Sequence, residues 1–227
     1  MEVVQGKIVD YNEKGQYFTV NVPYDNVDRM VLRQYKDVHV GLPDQRTISP
    51  LQRKKAYGLM KDISNYCGYA PDHIKKLMKL SFISERLEGL QKSLFSLSDC
   101  DVTTAREFIT FLIDFIIDYD IPTSCNLLEY CEDYDRYVYM CMLKKKCVIS
   151  GLPAELHHID TIGMGNNRDD ILQIGYEVLP LCRRYHTEYH SIGKEKFFEK
   201  YHLDHGYILD KKMATVWGLT KKNKGEE

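Results

Sequence analysis

Four histidines in two pairs carry the chemistry written into this chain: the adjacent His157 and His158, and His186 and His190 downstream. The second pair lies in Leu181-Cys182-Arg-Arg-Tyr-His186-Thr-Glu-Tyr-His190, within a run from Leu181 to Ser191 that contains neither Pro nor Gly. That run is expected to be helical, and a spacing of four puts both rings on one face, one turn apart. Two imidazoles so placed can bind one divalent metal, with a third ligand drawn from the adjacent pair. Neighbouring residues of an extended segment point to opposite faces. Only one of His157 and His158 can then coordinate directly, and the other can act as a base. Metal-assisted hydrolysis of a phosphodiester requires that division of labour.

This constellation resembles the HNH, or ββα-metal, nuclease family, most closely over residues 147–202. The resemblance implies that His157 is the first metal ligand, His158 the general base, and that His186 and His190 complete the site. One divalent cation, zinc, magnesium or manganese, is implied with them. Where the family carries the middle Asn of its motif, nine residues before His186, this chain has Glu177. A carboxylate there can accept an imidazole N–H and orient the base, or it can add a ligand. Many family members also hold a structural zinc between two Cys-x-x-Cys pairs. The matching positions here read Cys147-x-x-Ser150 and Cys182-x-x-Tyr185, so half of each pair is missing. A second zinc is therefore not expected, although Cys147 and Cys182 should sit close together. His202 and His205 match no place in the motif and are expected to be surface or core residues.

The elements that must position these groups belong to a chain of 227 residues, 44% hydrophobic and 28% charged. Those proportions suit a soluble globular protein of one or two domains. No apolar run is long enough to span a membrane. The N-terminal Met-Glu-Val-Val-Gln-Gly-Lys lacks the basic-then-apolar order of a signal peptide. Seven cysteines scattered through apolar segments read as reduced thiols of a cytoplasm-like compartment rather than as a disulfide framework. Net charge is −2 but unevenly placed. Residues 46–92 hold ten basic groups against four acidic, and residues 93–143 hold two basic against ten acidic. A basic face on the first of these stretches could meet nucleic acid.

Along the chain, Gly6 to Tyr11 and Tyr17 to Val22 read as a hairpin around the turn Asn12–Gly15, and Val38-His-Val as a further strand. Ser49 as N-cap and Pro50 at the first helical position start a helix that stops near Gly68. A second helix starts at Ala70-Pro71 and runs to about Phe82, with Lys75, Lys76 and Lys79 on its outer face. A third, strongly apolar, runs from Val102 to about Tyr119 with Ser98 or Asp101 as cap. A fourth starts at Thr123 or Ser124 and ends near Leu143. Lys144, Lys145 and Lys146 then suit a helix C-terminus or a phosphate. Gly193 to His202 is a short amphipathic helix, and residues 219–227 are a charged tail.

Residues 1–142 are similar to the phage Orf/NinB family: Ser-Pro-Leu-Gln-Arg-Lys-Lys-Ala-Tyr-Gly-Leu-Met-Lys-Asp-Ile-Ser, a Gly-containing break, a Lys-rich helix, Ser96-Leu-Ser and an apolar helix. The whole chain resembles an HNH nuclease family of phages that infect Gram-positive bacteria. These likenesses imply a homodimer in the bacterial host cytoplasm that binds single-stranded or branched DNA alongside single-strand-binding protein in recombination. The expected fold is α+β: a β-hairpin and helical DNA-binding domain over residues 1–143, a ββα-metal module over 144–218, and the tail. Arg53, Lys54, Lys55, Lys75, Lys76 and Lys79 are the expected phosphate contacts, with Tyr57, Tyr66 and Tyr69 available to stack on bases. The competing expectation is a recombination mediator that does not cut, with a metal that only braces the fold.

Overall fold

Caps and apolar periodicity decide where the helices of this α+β chain begin and what they bury. The computed structural model describes residues 6–34, 46–86, 95–159 and 174–219. Strands β1 (Lys7–Asn12) and β2 (Tyr17–Asn21) pair antiparallel as the expected hairpin. A short helix α1 (Val27–Leu32), unforeseen in the sequence, follows it. The expected strand at 38–40 lies outside the described residues.

The helical part is built on α2 (Pro50–Cys67), α3 (Pro71–Arg86) and α4 (Val102–Asp118). Ser49 and Gln52 close a reciprocal capping box on α2, and Gly68 ends it in the left-handed conformation at φ 72° that glycine adopts without cost. Helix α3 runs one turn beyond the expected end at Phe82, and Phe82 itself is core. Its ring packs against Phe95, Phe108 and Phe111. Asp101, not Ser98, caps α4 by accepting from the Thr104 N–H. Leu59 and Ile63 of α2 and Phe108, Ile109 and Leu112 of α4 are fully buried.

The single helix expected from Thr123 or Ser124 to Leu143 is two helices, α5 (Leu127–Tyr130) and α6 (Tyr134–Lys144). The N–H and hydroxyl of Ser124 both donate to the buried Asp62 carboxylate, and Asn126 caps α5 instead, accepting from the Leu128 N–H. Asp133 then restarts the helix, its side chain capping the Arg136 N–H. Local capping beats continuous propensity here.

The second sheet has the order β3 (Glu155–His158), β4 (Glu177–Leu181), β5 (Tyr207–Ile208), all antiparallel. Helices α7 (Arg183–Ile192) and α8 (Lys194–Tyr201) follow β4, and α9 (Lys211–Val216) follows β5. Neither β5 nor α9 was foreseen; Asp210 caps α9 through the Met213 N–H. No helix among the described residues is long and apolar enough to cross a membrane.

Helix α6 joins the two halves. Its buried Tyr137 donates to the Val148 carbonyl at 2.9 Å, and the Trp217 indole donates to the Met142 carbonyl at 3.0 Å. Tyr134 donates to the His205 carbonyl, whose imidazole meets Asp135 at 2.7 Å. Tyr137→Phe strands a buried carbonyl and should lower stability by about 1–3 kcal/mol. Urea unfolding should show a lower midpoint with an unchanged slope, and an unchanged midpoint would deny α6 this joining role.

Candidate metal centre

The β3–β4 register sets His157 opposite Leu179 and His158 opposite Val178. Directly paired residues share a face, so Glu155, His157, Leu179 and Leu181 point one way and His158 the other. Only Cys182 separates the end of β4 from α7, and it is the helix N-cap. That short connection lays the first turns of α7 against the Glu155 and His157 face.

Three of the expected residues converge there. The ring centroids of His157 and His186 lie 4.7 Å apart, and each lies 5.1 Å from that of His190. One ring nitrogen from each of the three comes within 4.8 Å of the others. His157 is 2% exposed, and the Tyr189 ring covers it at 4.0 Å between centroids. Three imidazoles are a donor set that suits a single divalent ion with positions left for substrate. The residues present therefore fit the ion that the sequence pattern implies.

Two contributors were not anticipated. Glu155 Oε2 sits 3.0 Å from His186 Nδ1 and 3.2 Å from Arg183 Nη1. Hydrogen bonds from His186 and then Arg183 hold its carboxyl below the usual range. A proton on Nδ1 satisfies that contact and leaves Nε2 with the lone pair a metal needs. Strand alternation carried the signal, since a residue two before His157 must share its face. Tyr189 was legible in the same way, being three residues after His186 on the helix.

Glu177 does not stand apart as a ligand would. Its Oε1 accepts from the Gly206 N–H at 2.7 Å and its Oε2 from Lys194 Nζ at 3.1 Å. Gly206 comes so close that a Cβ there would lie 2.8 Å from the Val178 carbonyl oxygen. The carboxylate thus ties β4 to the approach of β5 and to the start of α8. His205, on α6's Asp135, and the exposed His202 lie outside the cluster, as expected.

The half-knuckle also assembles. Cys147 is fully buried, and Cys182 receives the Ser150 hydroxyl at 3.6 Å. Burial alone would raise the Cys182 thiol. Hydrogen bonds from the Tyr185 and Arg184 backbone, Ser150 and Cys147 outweigh it and hold the thiol below its usual range. Tyr185 packs on Tyr201 instead of supplying a fourth donor.

The six expected phosphate contacts are not equivalent. Lys54 and Lys76 are exposed, and Lys75 lies 5.2 Å from the centre of the exposed Tyr57 ring. Tyr66 and Tyr69 are exposed as well. Lys55 is paired with Glu132 at 2.6 Å, and Arg53 donates to the Ser98 carbonyl at 2.7 Å. Lys79 is a correction: it is 7% exposed rather than on an outer face. Its ammonium donates to the Phe95 carbonyl at 2.8 Å, and burial lowers its pKa, with Lys75 adding to the shift. Lys144 and Lys146 pair with Asp118 and Asp120 at the end of α4.

Residues 22–219 match a family described as Putative HNHc nuclease. No curated protein and no solved structure matches the chain.

If Glu155 sets the His186 tautomer, Glu155→Ala should weaken zinc or manganese affinity by roughly 10–100-fold. His186→Ala should remove stoichiometric binding, and His202→Ala should change nothing. Titration calorimetry checks all three, and full affinity in Glu155→Ala would deny it the positioning role.

Proposed function

Because the chain belongs to this family of HNHc nucleases, we propose that it is a metal-dependent DNA endonuclease working at the three-histidine cluster. The observation that carries the reading is the convergence of ring nitrogens from His157, His186 and His190 within 4.8 Å. These three would hold one zinc, magnesium or manganese ion. Such an ion supplies Lewis acidity at the scissile phosphate and at its leaving oxygen. His158, next to His157 and pointing to the opposite face, accepts the proton of the attacking water in its neutral form. Glu155 keeps His186 oriented, and Tyr189 keeps bulk water off His157. Glu177 braces the strand that carries this arrangement and, through it, the position of His158.

Purified protein should nick plasmid DNA with added divalent metal and stop with EDTA. His158→Ala should lose cleavage by at least the 10²–10⁴-fold typical of a removed general base. It should retain metal and DNA binding. Wild-type turnover in His158→Ala would remove it from the mechanism.

One observation favours a second reading, in which the metal braces a protein that binds without cutting. The family's Asn position is Glu177, and its carboxylate serves Gly206 and Lys194. In that case EDTA lowers stability while no nicking appears at any metal concentration.

We further propose that DNA runs over α2 and α3, where Lys54, Lys75 and Lys76 meet phosphates and Tyr57, Tyr66 and Tyr69 stack on bases. Single-stranded or branched substrates, a homodimer, recombination and a single-strand-binding partner are supported by the Orf/NinB likeness. Lys54→Glu, Lys75→Glu and Lys76→Glu together should weaken binding across all sequences. The salt slope should fall by about 0.7 for each phosphate that is no longer neutralised. Unchanged affinity and slope would move the DNA path elsewhere.

A further inference from the structure

Cys147 and Cys182 are the two survivors of a four-sulfur pattern, and the metal-binding set found among the described residues, His157, His186 and His190, does not include them. Cys147 sits in a tight turn: its N–H donates to the Leu152 carbonyl at 2.7 Å, and its carbonyl accepts from Gly151 at 2.8 Å. The next residue pins that turn to the sheet, Val148 donating to the Pro180 carbonyl at 3.0 Å, two residues before Cys182. Cys182 is fixed in turn as the N-cap of α7. Ser150 Oγ, in the turn that Cys147 opens, lies 3.6 Å from the Cys182 sulfur, so that turn sets the two cysteines side by side. Cys147 is 0% exposed and Cys182 is 8% exposed, so Cys182 is the nearer of the two to solvent.

We propose that Cys147 and Cys182 form a peroxide-sensitive thiol pair that oxidises to an intramolecular disulfide. The Cys182 sulfur attacks one oxygen of hydrogen peroxide and the O–O bond breaks. The departing hydroxide takes the thiol proton and leaves as water, giving a sulfenic acid. The Cys147 sulfur then attacks the Cys182 sulfur and the S–O bond breaks. Hydroxide takes the second thiol proton and leaves as water. Two thiols have lost two hydrogens and one peroxide has become two waters. The bond clamps the turn at 147–152 onto the start of α7, the helix that carries His186 and His190. It thus does covalently what a zinc does in relatives with complete Cys-x-x-Cys pairs.

The proposal stands apart from the nuclease reading, and its test uses no activity. The full chain is oxidised with hydrogen peroxide, remaining thiols are blocked, and the protein is digested with trypsin without reduction. Cleavage after Lys146, Arg168 and Arg183 puts the two cysteines on separate peptides. The expected result is a Cys147–Cys182 linked pair as the main product, reversed by dithiothreitol. A rise in melting temperature of roughly 5–10 °C should accompany it. Cys182→Ser should give no link, and Cys147→Ala should leave a sulfenic acid at Cys182 that dimedone traps. Should Cys147→Ala fail to fold, the wild-type peptide map decides by itself. A main product that joins Cys147 to the nearby Cys141 overturns the proposal. So does oxidation confined to the exposed Cys67 while both thiols stay reduced.

Discussion

The pairing of β3 with β4 determines which of two adjacent histidines faces the other two. With a side-chain period of two, a slip of one residue would exchange His157 for His158 and turn Glu155 away from α7. Several contacts resist that slip together. Ile159 donates to the Glu177 carbonyl at one end of the ladder and Val148 to the Pro180 carbonyl near the other. Val178, Leu179 and Leu181 are fully buried, and the close approach of Gly206 leaves β4 no space to shift. Since α7 starts one residue after β4, the register also fixes where His186 and His190 fall.

The same economy explains the uneven charge along the chain. Part of the acidic stretch 93–143 supplies counterparts for basic neighbours. Glu132 meets Lys55, Asp114 meets Arg136, and Asp118 and Asp120 meet the lysines that follow α6. The half-exposed pairs add little stability each. The Lys55–Glu132 pair, largely shielded, ties α2 to the segment before α6. Outside such pairs, the described residues of α2 and α3 still offer Lys54, Lys61, Lys75 and Lys76 beside the exposed tyrosines.

The candidate site was more legible than its supports. Histidines at a spacing of four in a run without breakers can share few geometries, so the α7 face could be read directly. Ser49-Pro50 likewise announces a helix by chemistry confined to four residues. The delayed start of α5, beyond Ser124, could not be read so. It depends on Ser124 bonding to Asp62, some sixty residues away, which no local pattern records. Lys79 misled for a related reason: a lysine at an apolar boundary buries its stem when a carbonyl such as that of Phe95 stands within reach. Strand β5 has two residues, too short for any alternation to show.

Metal content distinguishes the two neighbouring histidines most directly. His157→Gln and His158→Gln, purified in parallel and analysed by mass spectrometry for bound metal, differ by one position in the same strand. The β3–β4 register predicts that His157→Gln loses the ion and that His158→Gln retains about one per chain. Retention by His157→Gln with loss by His158→Gln would contradict the assignment at its root.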